Sequence, residues 1–121
     1  MDARHTQGRA AEEAACKYLQ AQGLQLVARN VRLRGGELDL VMREGDSLVF
    51  VEVRYRRRNS HGSAAESVNV RKQQRLITAA QRYLQQHDPA QQFAARFDVV
   101  TMRDAKGETL EWHRNAFEAQ P

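Results

Sequence analysis

Glu37-Leu38-Asp39-Leu40-Val41-Met42, then Arg43-Glu44-Gly45-Asp46, then Ser47-Leu48-Val49-Phe50-Val51-Glu52-Val53-Arg54 follow one another near the middle of the chain. Two runs of strand-forming residues flank a Gly-Asp turn. Gly accepts positive φ and Asp contributes a short side chain, so the stretch reads as a β-hairpin. Side chains alternate faces along a strand, which puts Glu37, Asp39 and Val41 on one face of the first strand and Leu48, Phe50, Glu52 and Arg54 on one face of the second. A loop centred on Gly45-Asp46 pairs residue 44 with 47. The same register then sets Asp39 opposite Glu52 and Glu37 opposite Arg54, and a slip of one residue would undo it.

Carboxylates directly opposite each other on a sheet have Cβ atoms about 4.5–5.5 Å apart and repel. Arg54 can serve one of them, yet the middle of an apolar, Val-rich strand is a costly place for Glu52 merely to find a salt bridge. A divalent ion held by Asp39 and Glu52 would remove the repulsion and leave positions open for water and a phosphate. Both side chains lying on a wet face of the hairpin fits the spacing equally, so geometry leaves the two readings side by side.

Outward from the hairpin, the first helix begins near Thr6 or Gly8 and runs to Gln22, with Gly23 as its stop. Ala11, Ala14, Ala15, Tyr18 and Leu19 recur at helical spacing as a narrow face suited to close packing on a sheet. Cys16 reads as a small packed residue there. Glu12 and Glu13 lie in the first turns, where a carboxylate favours the positive end of the helix. Glu12 also flanks the Ala11/Ala15 face and can reach inward. Residues 24–32 form a strand, and Asn30 with Arg34-Gly35-Gly36 makes a tight connection into the hairpin, giving a three-stranded antiparallel meander.

After Glu52 the chain turns basic: Arg54, then Arg56-Arg57-Arg58, with Tyr55 between. Such a run beside two acids either meets a phosphate backbone or is a solvated stretch leading into a loop over residues 58–65. Ser63 to Glu66 is a capping-box pattern and Asn69 a second possible cap, so a helix starts in that range and continues to about His87, before Asp88-Pro89. Its buried stripe is Leu76, Ile77, Ala80, Tyr83 and Leu84. Lys72 lies one turn before Leu76; it points at the acidic site as a phosphate-binding ammonium, or snorkels at the helix end. Arg71, Arg75 and Arg82 fall on an exposed face that a duplex backbone could follow. Residues 90–95 are a polar link, 96–102 a strand, 104–107 a turn and 109–113 a short partner strand, with Phe117 tucked against the core. Asp98, between Phe97 and Val99, reads as an acid bonded to backbone or Arg rather than to a metal.

The 121 residues fit one domain, 1–121. No apolar run reaches the length that spans a bilayer, and the first residues lack the apolar stretch of a secretory signal, so no membrane role is expected and the cytoplasm is the expected location. One cysteine excludes an internal disulfide, and four scattered histidines give no zinc spacing. A net charge of +4, carried mostly by Arg, permits nucleic-acid binding without requiring it, since Arg suits bidentate phosphate contact but also follows genomic composition.

Gly8-x-x-x-Glu12, Arg29-Asn30, Gly36-Glu37-Leu38-Asp39-Leu40, Val49-Phe50-Val51-Glu52-Val53-Arg54 and Arg96-Phe97-Asp98-Val99-Val100 stand in an order and spacing that resembles the YraN family over nearly the whole chain. That family is similar to a small branch of the restriction-endonuclease-like PD-(D/E)XK superfamily. The resemblance implies an α/β fold of order α-β-β-β-α-β-β, with a mixed central sheet flanked by helices. It implies Asp39 and Glu52 as a pair binding Mg²⁺ or Mn²⁺, and Glu12 as a third acid. The position two after the acid is usually Lys in the superfamily pattern, whereas here it is Arg54, which cannot act as a general base but can clamp a phosphate. Three functions follow as expectations. The first is an endonuclease-like protein hydrolysing DNA or structured nucleic acid with Glu12, Asp39, Glu52 and Arg54 in the site, and Arg54, Arg56, Arg57, Arg58 and Lys72 on the nucleic acid. The others are a non-catalytic nucleic-acid-binding module on the same fold and a protein-protein adaptor.

Overall fold

The computed structural model describes residues 3–55, 68–104 and 107–118. Arg56, Arg57, Arg58 and the Ser63/Glu66 cap lie outside the described residues. The elements follow the order α1 (Ala3–Ala21), β1 (Gln25–Leu33), β2 (Gly36–Glu44), β3 (Ser47–Tyr55), α2 (Val70–His87), β4 (Ala94–Met102) and β5 (Glu111–Phe117). The five strands form one sheet in sequence order, with β1–β2, β2–β3 and β4–β5 antiparallel and β3–β4 parallel. The meander and the mixed sheet are both present. No helix among the described residues is long and apolar enough to cross a membrane.

β3 is the middle strand, and its Leu48-Val49-Phe50-Val51 run is buried on both faces, as an uninterrupted apolar run in a covered sheet should be. On one face α1 packs Ala11, Ala15, Cys16 and Leu19 against Leu40, Met42, Val49, Val51, Val100 and Met102. The small residues let the helix approach closely. Tyr18, expected in this stripe, is 39% exposed and instead meets the edge of Trp112, ring centres 6.4 Å apart. On the other face α2 packs Leu76, Ala79, Ala80 and Tyr83 against Leu38, Val41, Leu48, Phe50, Phe97 and Val99. Ile77 and Leu84, expected in the stripe, only flank this core, and Ala79 takes the central place.

The helix ends follow the capping chemistry. Gly23 at φ +102 stops α1, and the Leu24 N–H returns to the Leu19 carbonyl at 3.0 Å. Asn69 caps α2 by accepting the Lys72 N–H at 2.8 Å. The buried Asp88 closes its other end and accepts the N–H groups of Gln92 and Phe93 at 2.9 and 3.0 Å. Between β1 and β2 the chain passes so near α2 that a Cβ on Gly36 would lie 2.8 Å from the Arg75 carbonyl oxygen and 3.4 Å from the Ala79 Cβ.

The last strand occupies Glu111–Phe117 rather than 109–113. The physical reason is Asp98, wholly buried in β4. Its carboxylate accepts the Trp112 indole N–H and the Asn115 backbone N–H, both at 2.9 Å, and the Arg96 Nε–H at 3.0 Å. Asn115 takes φ +50 where the register shifts opposite Asp98, and that carboxylate satisfies the N–H turned out of the ladder. The strand therefore continues to Phe117, which stacks on Phe97 at 5.0 Å. Asp98 has the structural role that the sequence favoured.

Two substitutions test this account of the packing. Gly36→Ala forces the turn off α2 and should cost about 1–3 kcal/mol in urea unfolding. Asp98→Ala takes the acceptor from the Trp112 and Asn115 N–H groups and one of two carboxylates from Arg96, and should cost about 3–5 kcal/mol, with Trp112 fluorescence as the probe.

Candidate functional site

The hairpin keeps the register that its turn dictates from Glu44↔Ser47 as far as Leu40↔Val51. Beyond that pair the strands part. The Asp39 carboxylate fills the gap, its Oδ2 accepting the Val53 N–H at 3.0 Å where a ladder would have offered a backbone carbonyl. The side-chain alternation breaks at the same place: Leu38 packs in the α2-side core and Leu40 in the α1-side core, although period two would put them on one face. β1 turns over in step. Ala28 and Val31 both face α2, Asn30 between them has φ +52, and the pairs Arg29↔Leu40 and Val31↔Leu38 leave Asn30 across from Asp39. The single face expected for Glu37, Asp39 and Val41 is therefore not maintained.

Glu52 follows Val51 on the α2 side and is only 4% exposed. Burial, and then the neighbouring Asp39, push its carboxyl up to about 7, against the pull of Lys72 and Arg54. Asp39 is raised as well, chiefly by burial; the Val53 N–H and then Lys72 oppose the rise, and Glu52 lies within hydrogen-bonding reach of it. Two carboxyls so placed do not both ionise readily, and a cation beside them favours the ionised pair. One cation is already there. The Lys72 Nζ stands 3.2 Å from Glu52 Oε1, delivered by the first turn of α2 as the helical spacing suggested. Arg54 is partly buried on the same face as Glu52, and its Nε, although shut away from solvent, has no hydrogen-bond partner among the described residues.

Glu12 comes to Asp39 from the opposite layer. It is partly buried on α1, and burial followed by Asp39 and Glu37 raises its carboxyl to about 7, while Arg29 and Arg9 draw it down. With its Nδ2 turned toward that carboxylate, the orientation that avoids setting oxygen against oxygen, the Asn30 amide donates to both Glu12 oxygens at 3.1 Å. Arg29 is committed elsewhere, to Glu13 at 2.7 Å and more loosely to the Cys16 sulfur at 3.7 Å. Asp39 is the hinge of the arrangement, with Glu52 and Lys72 on the α2 side and Glu12 and Asn30 on the α1 side.

Among the described residues no three His, Cys, Asp or Glu side chains are gathered closely enough to hold an ion together. Asp39 and Glu52 nevertheless suit a hard divalent cation: both offer oxygen, both are raised in pKa by burial, and a divalent charge between them would relieve their repulsion. Arg71, Arg75 and Arg82 are exposed along α2. Asn30 is the member of the site that the sequence did not single out for function. The signal available was an Asn inside a strand pattern, since Asn tolerates positive φ better than any other residue with a Cβ.

The model of a family described as "Uncharacterised protein family UPF0102" matches residues 11–102. A UPF0102 protein of Stutzerimonas stutzeri is 51% identical over 120 residues, which covers 98% of this chain and 100% of that protein. One of Pseudomonas putida is 51% identical over 113 residues, covering 92% and 91%. One of Nitrosococcus oceani is 50% identical over 114 residues, covering 93% and 92%.

The raised Glu52 carboxyl makes stability depend on pH in a definite sense. Between its ordinary 4.5 and about 7 the unfolded chain gives up a proton that the folded chain keeps. The contribution is whole below 4.5 and disappears as pH climbs through 7. In metal-free buffer, Glu52→Gln should therefore gain stability relative to the natural chain between pH 5 and pH 8, by on the order of 1–3 kcal/mol in urea unfolding.

Proposed function

Since the chain belongs to the UPF0102 family, to which the resemblance to the YraN family had pointed, we propose that it is a metal-dependent, endonuclease-like protein hydrolysing phosphodiester bonds in DNA or structured nucleic acid. The observation that carries the reading is the meeting of Asp39 and Glu52 where β2 and β3 part, with the Lys72 ammonium 3.2 Å from Glu52. Two desolvated acids and a partly exposed amine where the strands part are poorly explained as a stabilising device, because burying them costs more than their pairing returns unless a ligand completes the set.

Asp39 and Glu52 would hold Mg²⁺ or Mn²⁺, which supplies a Lewis acid and a positive charge against the phosphodiester when bound. The remaining work falls to the chain's own groups. Lys72 reaches the site on a flexible stem and is 43% exposed, so it can exchange Glu52 for a substrate phosphate. Arg54, whose Nε is unpaired among the described residues, presents a planar fork to the same phosphate. It cannot accept a proton; Glu12, with its raised carboxyl, can take or return one near Asp39. Where the superfamily pattern has one Lys two residues past the acid, this chain divides the work between Arg54 in that position and Lys72 from the following helix. The exposed Arg71, Arg75 and Arg82 give a nucleic-acid backbone a path beyond the site. Such an activity would be exercised in the cytoplasm.

Mn²⁺ titrated calorimetrically into the protein should bind, and Asp39→Ala should weaken that binding more than about 100-fold and abolish cleavage of a labelled branched or duplex DNA. Lys72→Ala should leave Mn²⁺ affinity within a few-fold and lower turnover about 100–1000-fold. No ion binding, together with salt-steep DNA binding, would identify the non-catalytic module instead.

A further inference from the structure

We infer that Asn30 is a positioning residue that aims Glu12 at Asp39, an inference that rests on the metal-dependent reading of the site. Its backbone supplies the first argument. A residue with a side chain at φ +52 inside a strand costs on the order of 1–3 kcal/mol and persists only where its surroundings impose it. Here β1 and β2 turn over together, Ala28 and Val31 both packing toward α2, while Asn30 is set across from Asp39.

The second argument is the use made of that conformation. The Asn30 amide reaches α1 and donates to both Glu12 oxygens at 3.1 Å, so it fixes the direction of the carboxylate as well as its place. Among the described residues no other hydrogen bond to the Glu12 carboxylate is formed. Arg29, the nearby cation best able to compete, is held by Glu13 at 2.7 Å. Arg9 and Arg29 act on the Glu12 carboxylate through their charge, and the amide is what gives that carboxylate a direction. Asn suits this position because it accepts the left-handed backbone and carries two donors on one nitrogen. Asp would keep the backbone and place a carboxylate against a carboxylate.

The experiment uses the full chain, Mn²⁺ as the probe, and three variants: Asn30→Gly, Glu12→Gln and the double variant. Glycine keeps the positive φ without strain, so Asn30→Gly should unfold at a urea midpoint no lower than that of the natural chain while its Mn²⁺ affinity falls about tenfold. Glu12→Gln should show a loss of similar size, and the double variant no further loss, because the amide acts through the carboxylate. Asn30→Gly binding Mn²⁺ like the natural chain, or two losses that multiply in the double variant, overturns the assignment of Asn30 while the metal reading stands. A natural chain that binds no Mn²⁺ overturns both.

Discussion

The structure turns on the place where a β-ladder gives way to a side chain. Backbone groups in a sheet interior must be paired, and strands stay together because parting leaves donors unmet. β2 and β3 part beyond Leu40 and Val51 because Asp39 takes the Val53 N–H onto its carboxylate. That substitution opens a mouth in the sheet without leaving the donor bare. It also draws a charged group into the mouth, so the same bond that permits the opening makes the opening acidic.

Both helical layers then reach that mouth, one from each face. α1 does so closely, because Ala11 and Ala15 bring its backbone near the sheet and allow Glu12 to approach Asp39. α2 does so with its first turn, fixed by the Asn69 cap and by the passage of Gly36 against Arg75. Two other acids of the sheet contrast with this. Glu44 receives Arg96 at 2.7 Å and Arg114 at 2.5 Å, and Asp98, beside Val51 in the register, receives Arg96 and the Trp112 indole. Those charges are matched by their neighbours, while among the described residues Arg54 keeps an unmatched Nε, and burial raises the carboxyls of both Asp39 and Glu52. Folded proteins rarely leave buried polar groups in such a state away from a place of use.

Much of this was legible in the residues. The Gly45-Asp46 turn fixed the hairpin register, and Asn69 and Gly23 marked helix ends. Helical spacing left Lys72 either facing the acidic site or snorkelling at the helix end, and the contact with Glu52 decides between them. What could not be read was anything that depends on a break in periodicity. Strict alternation along β2 predicts Glu37, Asp39 and Val41 on one face, and only tertiary packing shows Leu38 and Leu40 in different cores. The same holds for β5, whose extension to Phe117 follows from hydrogen bonds to an acid more than a dozen residues away. Asn30, read as part of the connection into the hairpin, lies inside β1 instead, and its role rests on a backbone angle that composition does not encode.

β3 and β4 run parallel as neighbours, so the chain that leaves β3 at its far end must come back alongside before β4 begins. α2 is that return, and a returning helix has no choice but to start where β3 finishes, which is beside Glu52. The amine therefore owes its neighbourhood to chain path and its aim to helical phase. One residue inserted between Asn69 and Lys72 would swing the amine through about 100° around the helix axis. A longer connection before Asn69 would leave the amine where it is, whereas a residue added after Asn69 would take it out of reach of Glu52.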